Sequence, residues 1–238
     1  LADEFLTLGW DDSSYPNLKP SASLFEWENE ERTVEKEHDI LLIIACSESK
    51  IPVICSDYGE HGGYGVKSTI DTDKLFLDSL GEETLASTYV RAYPQLATKN
   101  WLTWDYQNLL EDYIKKVKCY DDFSPSGKML MSKSKLVVVA YQSTSHLESM
   151  IADIPTIFFW NKDIMYFKKE YENIYDDLID CGICHTDPVK AAEFVNKIKD
   201  FPEKWWFSEK TRTAREEFLR YNVGDPKLLI DYLLFKVI

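Results

Sequence analysis

The sequence predicts an α/β protein built on a doubly wound parallel sheet, and three observations predict it. Two aliphatic runs, Ile40–Cys46 and Leu136–Ala140, lack any polar alternation. That is the pattern of strands buried on both faces of a parallel sheet. Strand-like and helix-like segments alternate, with strands roughly 45–50 residues apart early and roughly 20 apart later. Both runs end in small polar residues, Ser47-Glu48-Ser49 and Gln142-Ser143-Thr144-Ser145. In open α/β sheets the carboxyl ends of the strands are where ligands bind.

The bulk numbers bound what such a sheet serves. A chain of 238 residues, 45% hydrophobic and 14% aromatic, buries a substantial core. A formal charge of −14 argues against nucleic acid as a partner, because phosphate-backbone binding needs concentrated Lys and Arg. One nucleotide in a local pocket remains compatible with it. The longest clean apolar runs are too short to span a bilayer, and no signal peptide is visible. Five cysteines at irregular spacings read as reduced thiols, which makes the expected compartment cytoplasmic. The chain begins Leu-Ala-Asp-Glu without Met and reads as a piece of a longer protein.

Taken in order, residues 1–38 form an N-terminal arm or interdomain linker. Pro16, Pro20 and Ser13, Ser14, Ser21 and Ser23 break any long element. A short strand or turn is expected at Phe5–Trp10, and Glu26–Glu37 is a charged run. Residues 39–238 form the sheet domain. After Ile40–Cys46 comes Ser56–Gly65, a loop with four glycines in its last seven residues, spaced as neither a P-loop nor a dinucleotide fingerprint. Asp71–Leu80 reads as a helix. Thr88–Pro94 is a strand candidate carrying Arg91, a charge that either pairs with a carboxylate or faces a ligand. Trp101–Lys118 is loop then helix, and Ser126–Ser134 is a short helix. Leu136–Trp160 then reads as strand, turn, helix from Thr144, and strand. Met165–Ile179 is a helix and Gly182–Cys184 a short strand. Asp187-Pro188 caps a helix to about Lys199. Trp205–Tyr221 and Pro226–Phe235 are two closing amphipathic helices, with Trp205 and Trp206 as packing aromatics.

The turn after the central run carries the chemistry. A helix start offers free N–H groups and a positive dipole end, which suit a phosphate, so Ser143, Thr144 and Ser145 are phosphate candidates. Glu148 follows Thr144 by one helical turn. A carboxylate there accepts hydrogen bonds from a ribose diol; otherwise the serines merely cap the helix and Glu148 is solvated. Ser47 and Ser49 supply a neighbouring strand exit. His146 and His61 are weak acid/base candidates, and the catalytic base or nucleophile is otherwise not assigned. Cys181-Gly182-Ile183-Cys184-His185 matches the C-x-x-C-H pattern of haem attachment. It stands alone and fits a sheet strand before a capped helix, so Cys184 reads as a small buried hydrophobe. No metal site is expected, since no second pair is spaced for zinc. Tyr141–Ser145 lacks the glycines of a nucleophile elbow.

Several segments together resemble a known family. Leu1–Trp10, Val90-Arg-Ala-Tyr-Pro94, Tyr141-Gln-Ser-Thr-Ser-His-Leu-Glu148, Ile154–Trp160, Gly182–Ala192 and Trp205-Trp206 occur in the order seen in transferases from bacterial surface-polysaccharide (O-antigen) gene clusters. That family is similar to retaining β-Kdo glycosyltransferases, and the resemblance runs over most of the chain. It implies a GT-B architecture of two Rossmann-like halves. This chain then resembles the C-terminal, donor-binding half, with an N-terminal GT-B half as partner. The resemblance places Arg91 near the nucleotide and Tyr93 where related transferases carry His. It places Ser143 and Thr144 on the donor phosphate, and Asp153 where many GT-B enzymes have Gly.

The expected function is therefore a glycosyltransferase-type donor domain in surface polysaccharide (O-antigen or lipopolysaccharide) biosynthesis. It would bind a nucleotide sugar, with CMP-Kdo as one candidate donor, and act on a glycan or lipid-linked acceptor. No permanently bound cofactor is expected; the nucleotide sugar is a substrate. A cytoplasmic site, peripheral to the inner membrane through partners, goes with this reading. Two alternatives remain: a non-catalytic Rossmann-like interaction module, and a CDP-polyol phosphotransferase.

Overall fold

Six parallel strands build one central sheet. The structure, a computed structural model, describes residues 3–23, 34–44, 63–92, 108, 110–120, 125–141, 143–162 and 172–237. In the N-terminal arm, β1 (Phe5–Thr7) pairs in parallel with β2 (Leu18–Pro20). The domain continues with β3 (His38–Ile43), α1 (Gly63–Ser79), α2 (Glu82–Ala86), β4 (Thr88–Arg91), α3 (Glu111–Ile114) and β5 (Cys119–Tyr120). Next come α4 (Gly127–Ser132), β6 (Ser134–Val139), α5 (Thr144–Ile151), β7 (Thr156–Phe159), α6 (Glu172–Cys181) and β8 (Cys184–His185). Four helices close the chain: α7 (Pro188–Ile198), α8 (Pro202–Trp206), α9 (Glu209–Asn222) and α10 (Pro226–Val237).

The sheet order is β5-β4-β3-β6-β7-β8. The chain winds outward from β3 to β5, returns to the middle at β6, and winds outward the other way. The topological switch point therefore lies between β3 and β6. These two strands pair from His38–Ser134 to Ile43–Val139. Side chains alternate between the faces with a period of two. Ile40, Leu42, Leu136, Val138 and Phe159 face α1 and α7, with Phe76 of α1 stacked on Phe159 at 4.6 Å. Leu41, Ile43, Val137, Val139 and Phe158 face the other layer, where α5, α6, α8 and α9 contribute Met150, Leu178, Trp206 and Phe218. Continuous apolar runs are thus required, since neither face meets water over Ile40–Ile43 or Leu136–Val139.

Local signals set most helix starts. Ser126 caps α4 by accepting from the Met129 N–H at 3.1 Å. Asp187 caps α7 through the Val189 and Lys190 N–H groups, with Pro188 in the first turn.

The structure departs from the sequence reading in several places, among them α2, which was not expected, and β8, which starts at Cys184 rather than Gly182. Gly63 and Gly65, expected in a loop, already belong to α1. The span expected as one helix from Trp205 is two, because Ser208 starts a new cap on Thr211. β5, with two residues, and β2, ending on Pro20, were not expected. Both are too short to show an alternating pattern.

The arm is fastened to the end of α9. The Ser23 N–H donates to the Val223 carbonyl at 2.7 Å, and Ala22 bridges to Gly224. Gly224 takes φ 75°, and a Cβ there would fall 1.9 Å from the Ser21 carbonyl oxygen. Only glycine allows that approach.

A second fastening fixes the turn between α5 and β7. Asp153 sits at φ 58°, left-handed backbone that suits glycine. Its Oδ1 accepts from the Trp206 indole N–H at 3.0 Å and lies 2.6 Å from the Arg215 guanidinium. That guanidinium stacks over the Trp206 ring at 4.2 Å. A carboxylate thus occupies a glycine-like position because it clamps α8 and α9 to the turn. Asp153→Ala should lose about 2–3 kcal/mol in urea unfolding, because it strands a buried guanidinium and keeps the strained φ. Asp153→Gly should lose less, since it relieves the backbone. Equal losses in the two variants would show that the φ is not strained.

Candidate functional site

The carboxyl edge of the sheet beside the switch point gathers the residues singled out above. Ile43 lies opposite both Arg91 of β4 and Val139 of β6, so the exits of these three strands lie side by side. At roughly 5 Å per strand, the β4 and β6 exits are about 10 Å apart. Of the sequence candidates, Ser143, Thr144, Ser145, His146 and Glu148 share one turn and helix at the β6 exit. Arg91 ends β4 on the same edge. Ser47, Ser49, Tyr93 and His61 lie outside the described residues.

The turn is built by a reciprocal cap. Ser143, extended at φ −153°, precedes α5. Its Oγ accepts from the Ser145 N–H at 3.2 Å, and its own N–H donates to Nδ1 of His146 at 3.2 Å. This is a capping box with His in the place usually taken by Glu or Gln. A hydroxyl that accepts in this way keeps its own proton to donate. Thr144 is exposed at the tip. Glu148 is half-buried one turn along, and its carboxylate has no partner among the described residues. Ser149 holds the helix down: its hydroxyl donates to the Ser145 carbonyl at 2.9 Å and accepts from Thr156 of β7 at 2.9 Å. Sequence reading gave Ser149 no role. No local pattern in the sequence joins it to Thr156.

His146 points into the core. It is 6% exposed and stacks on Phe158 at 4.4 Å. Burial pushes its pKa down to about 3, so the ring is neutral at pH 7. With Nδ1 accepting, the ring proton sits on Nε2. This gives His146 the part of a buried capping acceptor, not of a solvent-facing acid or base. Arg91 is 8% exposed and donates through NH1 to the Pro125 carbonyl at 3.0 Å. It thereby ties the β4 exit to the start of α4.

The C-x-x-C-H segment is structural. Cys181 and Cys184 are buried, and burial raises both thiol pKa values. The ring Nε2 of His185 lies 3.0 Å from the Gly182 carbonyl. The Trp205 indole donates to the Cys181 carbonyl at 2.8 Å. Among the described residues no group of His, Cys, Asp and Glu is placed to hold a metal ion. No helix among them is long and apolar enough to cross a membrane.

A doubly wound parallel domain, with strand order reversing beside a capped small-polar turn, is a Rossmann-like α/β domain. The chain belongs to the LIC12162 family of transferases, whose model matches residues 1–233. No curated protein matches the chain. Among solved structures it is similar to the wall teichoic acid polymerase TagF, at 13% identity over 99% of this chain and 57% of that one, with a TM-score of 0.45. It is also similar to WaaG, a glycosyltransferase involved in lipopolysaccharide biosynthesis, at 14% identity over 91% of this chain and 54% of that one, with a TM-score of 0.46. The chain spans a little over half the length of both.

The depressed pKa of His146 has a consequence for stability. An unfolded His titrates near 6.5, whereas the folded ring stays neutral to about 3. Its stabilising contribution is therefore complete above pH 6.5 and is lost as pH falls towards 3. By about pH 5 the loss amounts to roughly 2 kcal/mol. Urea unfolding at about pH 7.5 and about pH 5 should show a smaller drop in His146→Gln than in the parent, by about that amount. Identical drops would show that His146 does not titrate across this range.

Proposed function

We propose that the chain is the donor-binding domain of a glycosyltransferase of bacterial surface-polysaccharide (O-antigen or lipopolysaccharide) synthesis, and that the turn at Ser143 holds a nucleotide-activated sugar. One observation carries the reading. Exposed Thr144 and half-buried Glu148, whose carboxylate has no partner among the described residues, share one face of α5, at the carboxyl edge beside the switch point. The spacing suits a nucleotide: phosphate at the helix start, ribose one turn on. Membership of a transferase family supports group transfer. In this role Ser143, Thr144 and Ser145 bind phosphate and Glu148 accepts from the ribose diol. Ser47 and Ser49, which follow β3 in the sequence and lie outside the described residues, are candidates for the same ligand. Arg91 lends positive charge to the same edge, and Tyr93 follows it.

The chemistry follows from that placement. When the bond from the sugar's anomeric carbon to the phosphate breaks, negative charge develops on the leaving phosphate oxygens. The α5 N–H groups and the Ser143 and Thr144 hydroxyls are aligned beforehand to stabilise it. The acceptor hydroxyl that takes the sugar, on a glycan or lipid, would be bound outside this chain, by an N-terminal GT-B half. CMP-Kdo is a candidate donor that needs no second phosphate.

A second reading, a non-catalytic interaction module, draws on exposed apolar surface. Leu228, Ile230, Leu233, Leu234 and Phe235 of α10 are all solvent-exposed, as are Phe5 and Leu8 of the arm. Surfaces of this kind mark interaction sites.

Calorimetry with CMP, CDP, UDP and GDP separates the two readings. The transferase reading expects binding of at least one. No binding by folded protein would leave the interaction module. For the nucleotide that binds, Glu148→Ala should weaken affinity about tenfold, roughly 1.5 kcal/mol. The parent should also discriminate against the 2′-deoxy nucleotide about tenfold, and the variant should not. Undiminished binding by Glu148→Ala would remove the ribose role.

A further inference from the structure

We propose that His146 is a positioning residue that shapes the phosphate turn as an uncharged acceptor. Its buried Nδ1 fixes the Ser143 N–H, and with it the Ser143 hydroxyl, without adding a negative charge to the site. This inference rests on the nucleotide-binding reading above and goes beyond it by naming what sets the electrostatics of the turn.

The argument starts from the cap. The reciprocal hydrogen bonds join Ser143 to Ser145 and to His146, each at 3.2 Å. A capping box asks of its third helical residue only an acceptor for the N-cap N–H, and Glu or Gln ordinarily supplies it. Glu would also suit the positive end of the helix dipole. At an exposed helix start, then, a carboxylate is the better choice. For a phosphate it is the worse one, because it would sit beside the bound anion behind little intervening water, where like charges repel strongly. An imidazole that accepts through Nδ1 keeps the cap and adds no formal charge. The dipole end is left for the ligand.

The surroundings hold the ring in this role. His146 stacks on Phe158 at 4.4 Å and lies 6.2 Å from Phe218. The aromatic contacts orient Nδ1 towards the turn, and burial keeps the ring unprotonated at neutral pH. Phe158 is itself fully buried in β7, and Ser149 and Thr156 tie the same helix to the same strand. The turn is therefore referenced to the core of the sheet rather than to solvent.

The test measures CDP and CMP affinity by calorimetry, and thermal unfolding, in three variants. His146→Gln keeps a neutral acceptor and should bind CDP within about threefold of the parent. His146→Leu keeps apolar volume without an acceptor and should bind about tenfold more weakly, because Ser143 loses its fixed N–H. His146→Glu keeps the acceptor with a charge. It should unfold at a lower temperature than His146→Gln, because burial penalises the carboxylate, and the folded variant should bind CDP at least tenfold more weakly than His146→Gln, with a smaller penalty for CMP. If His146→Glu fails to fold, the comparison of Leu with Gln decides. Equal binding by Leu and Gln would show that the acceptor does not matter, and equal binding by Glu and Gln that neutrality does not. Either result overturns the inference while leaving nucleotide binding intact. A parent that binds no nucleotide removes the nucleotide-binding reading and this inference together.

Discussion

The pairing of β3 with β6 is the constraint on which the rest of the molecule depends. Ile40 to Ile43 lie opposite Leu136 to Val139 in parallel register, and these side chains are almost wholly buried on both faces. A slip of one residue would exchange the two faces and set every packed side chain against the wrong helix layer. Because β6 returns to the middle after β5 has reached one edge, its exit turn opens beside the β3 exit, not over a neighbouring crossover helix. The position of Ser143 to Glu148 follows from that register.

Two fastenings turn this position into a defined geometry. Beneath the helix, the Ser149–Thr156 hydrogen bond and the His146–Phe158 stack join α5 to β7. Behind it, Asp153 accepts left-handed backbone in exchange for an indole hydrogen bond and a buried ion pair. A buried pair is a weak source of net stability but a strong source of specificity when one partner also strains the backbone, since no other packing satisfies both. The result is a turn whose cap, Ser143, is held from the core through His146. A binding site for a compact anion requires that of its scaffold.

Much of this was legible in the sequence. The central strands announced themselves by unbroken aliphatic runs, and α7 by Asp187-Pro188. The turn at Ser143 could be placed because small polar residues interrupt two buried segments. What the sequence hid were relations between distant residues. Arg215 is 62 positions from Asp153 (215 − 153), and no local pattern joins them. Asp153 was visible as a departure from glycine, but its compensation was not. His146 was legible as a titratable residue near the turn, whereas its burial depends on Phe158 and Phe218 arriving from β7 and α9. The edge strand β5 has two residues, below the length at which alternation can be read. Ser208 is an ordinary N-cap residue type, but no Gly or Pro separates Trp205 from Tyr221, so one helix looked sufficient.

The central claim is that the turn after β6 is where a nucleotide binds, and hydrogen–deuterium exchange with and without CDP tests it most directly. The account predicts slower exchange on CDP addition in peptides spanning residues 140–152, because the first N–H groups of α5 would then be bonded to ligand. Protection confined to other segments, with residues 140–152 unchanged while CDP binds, would contradict it.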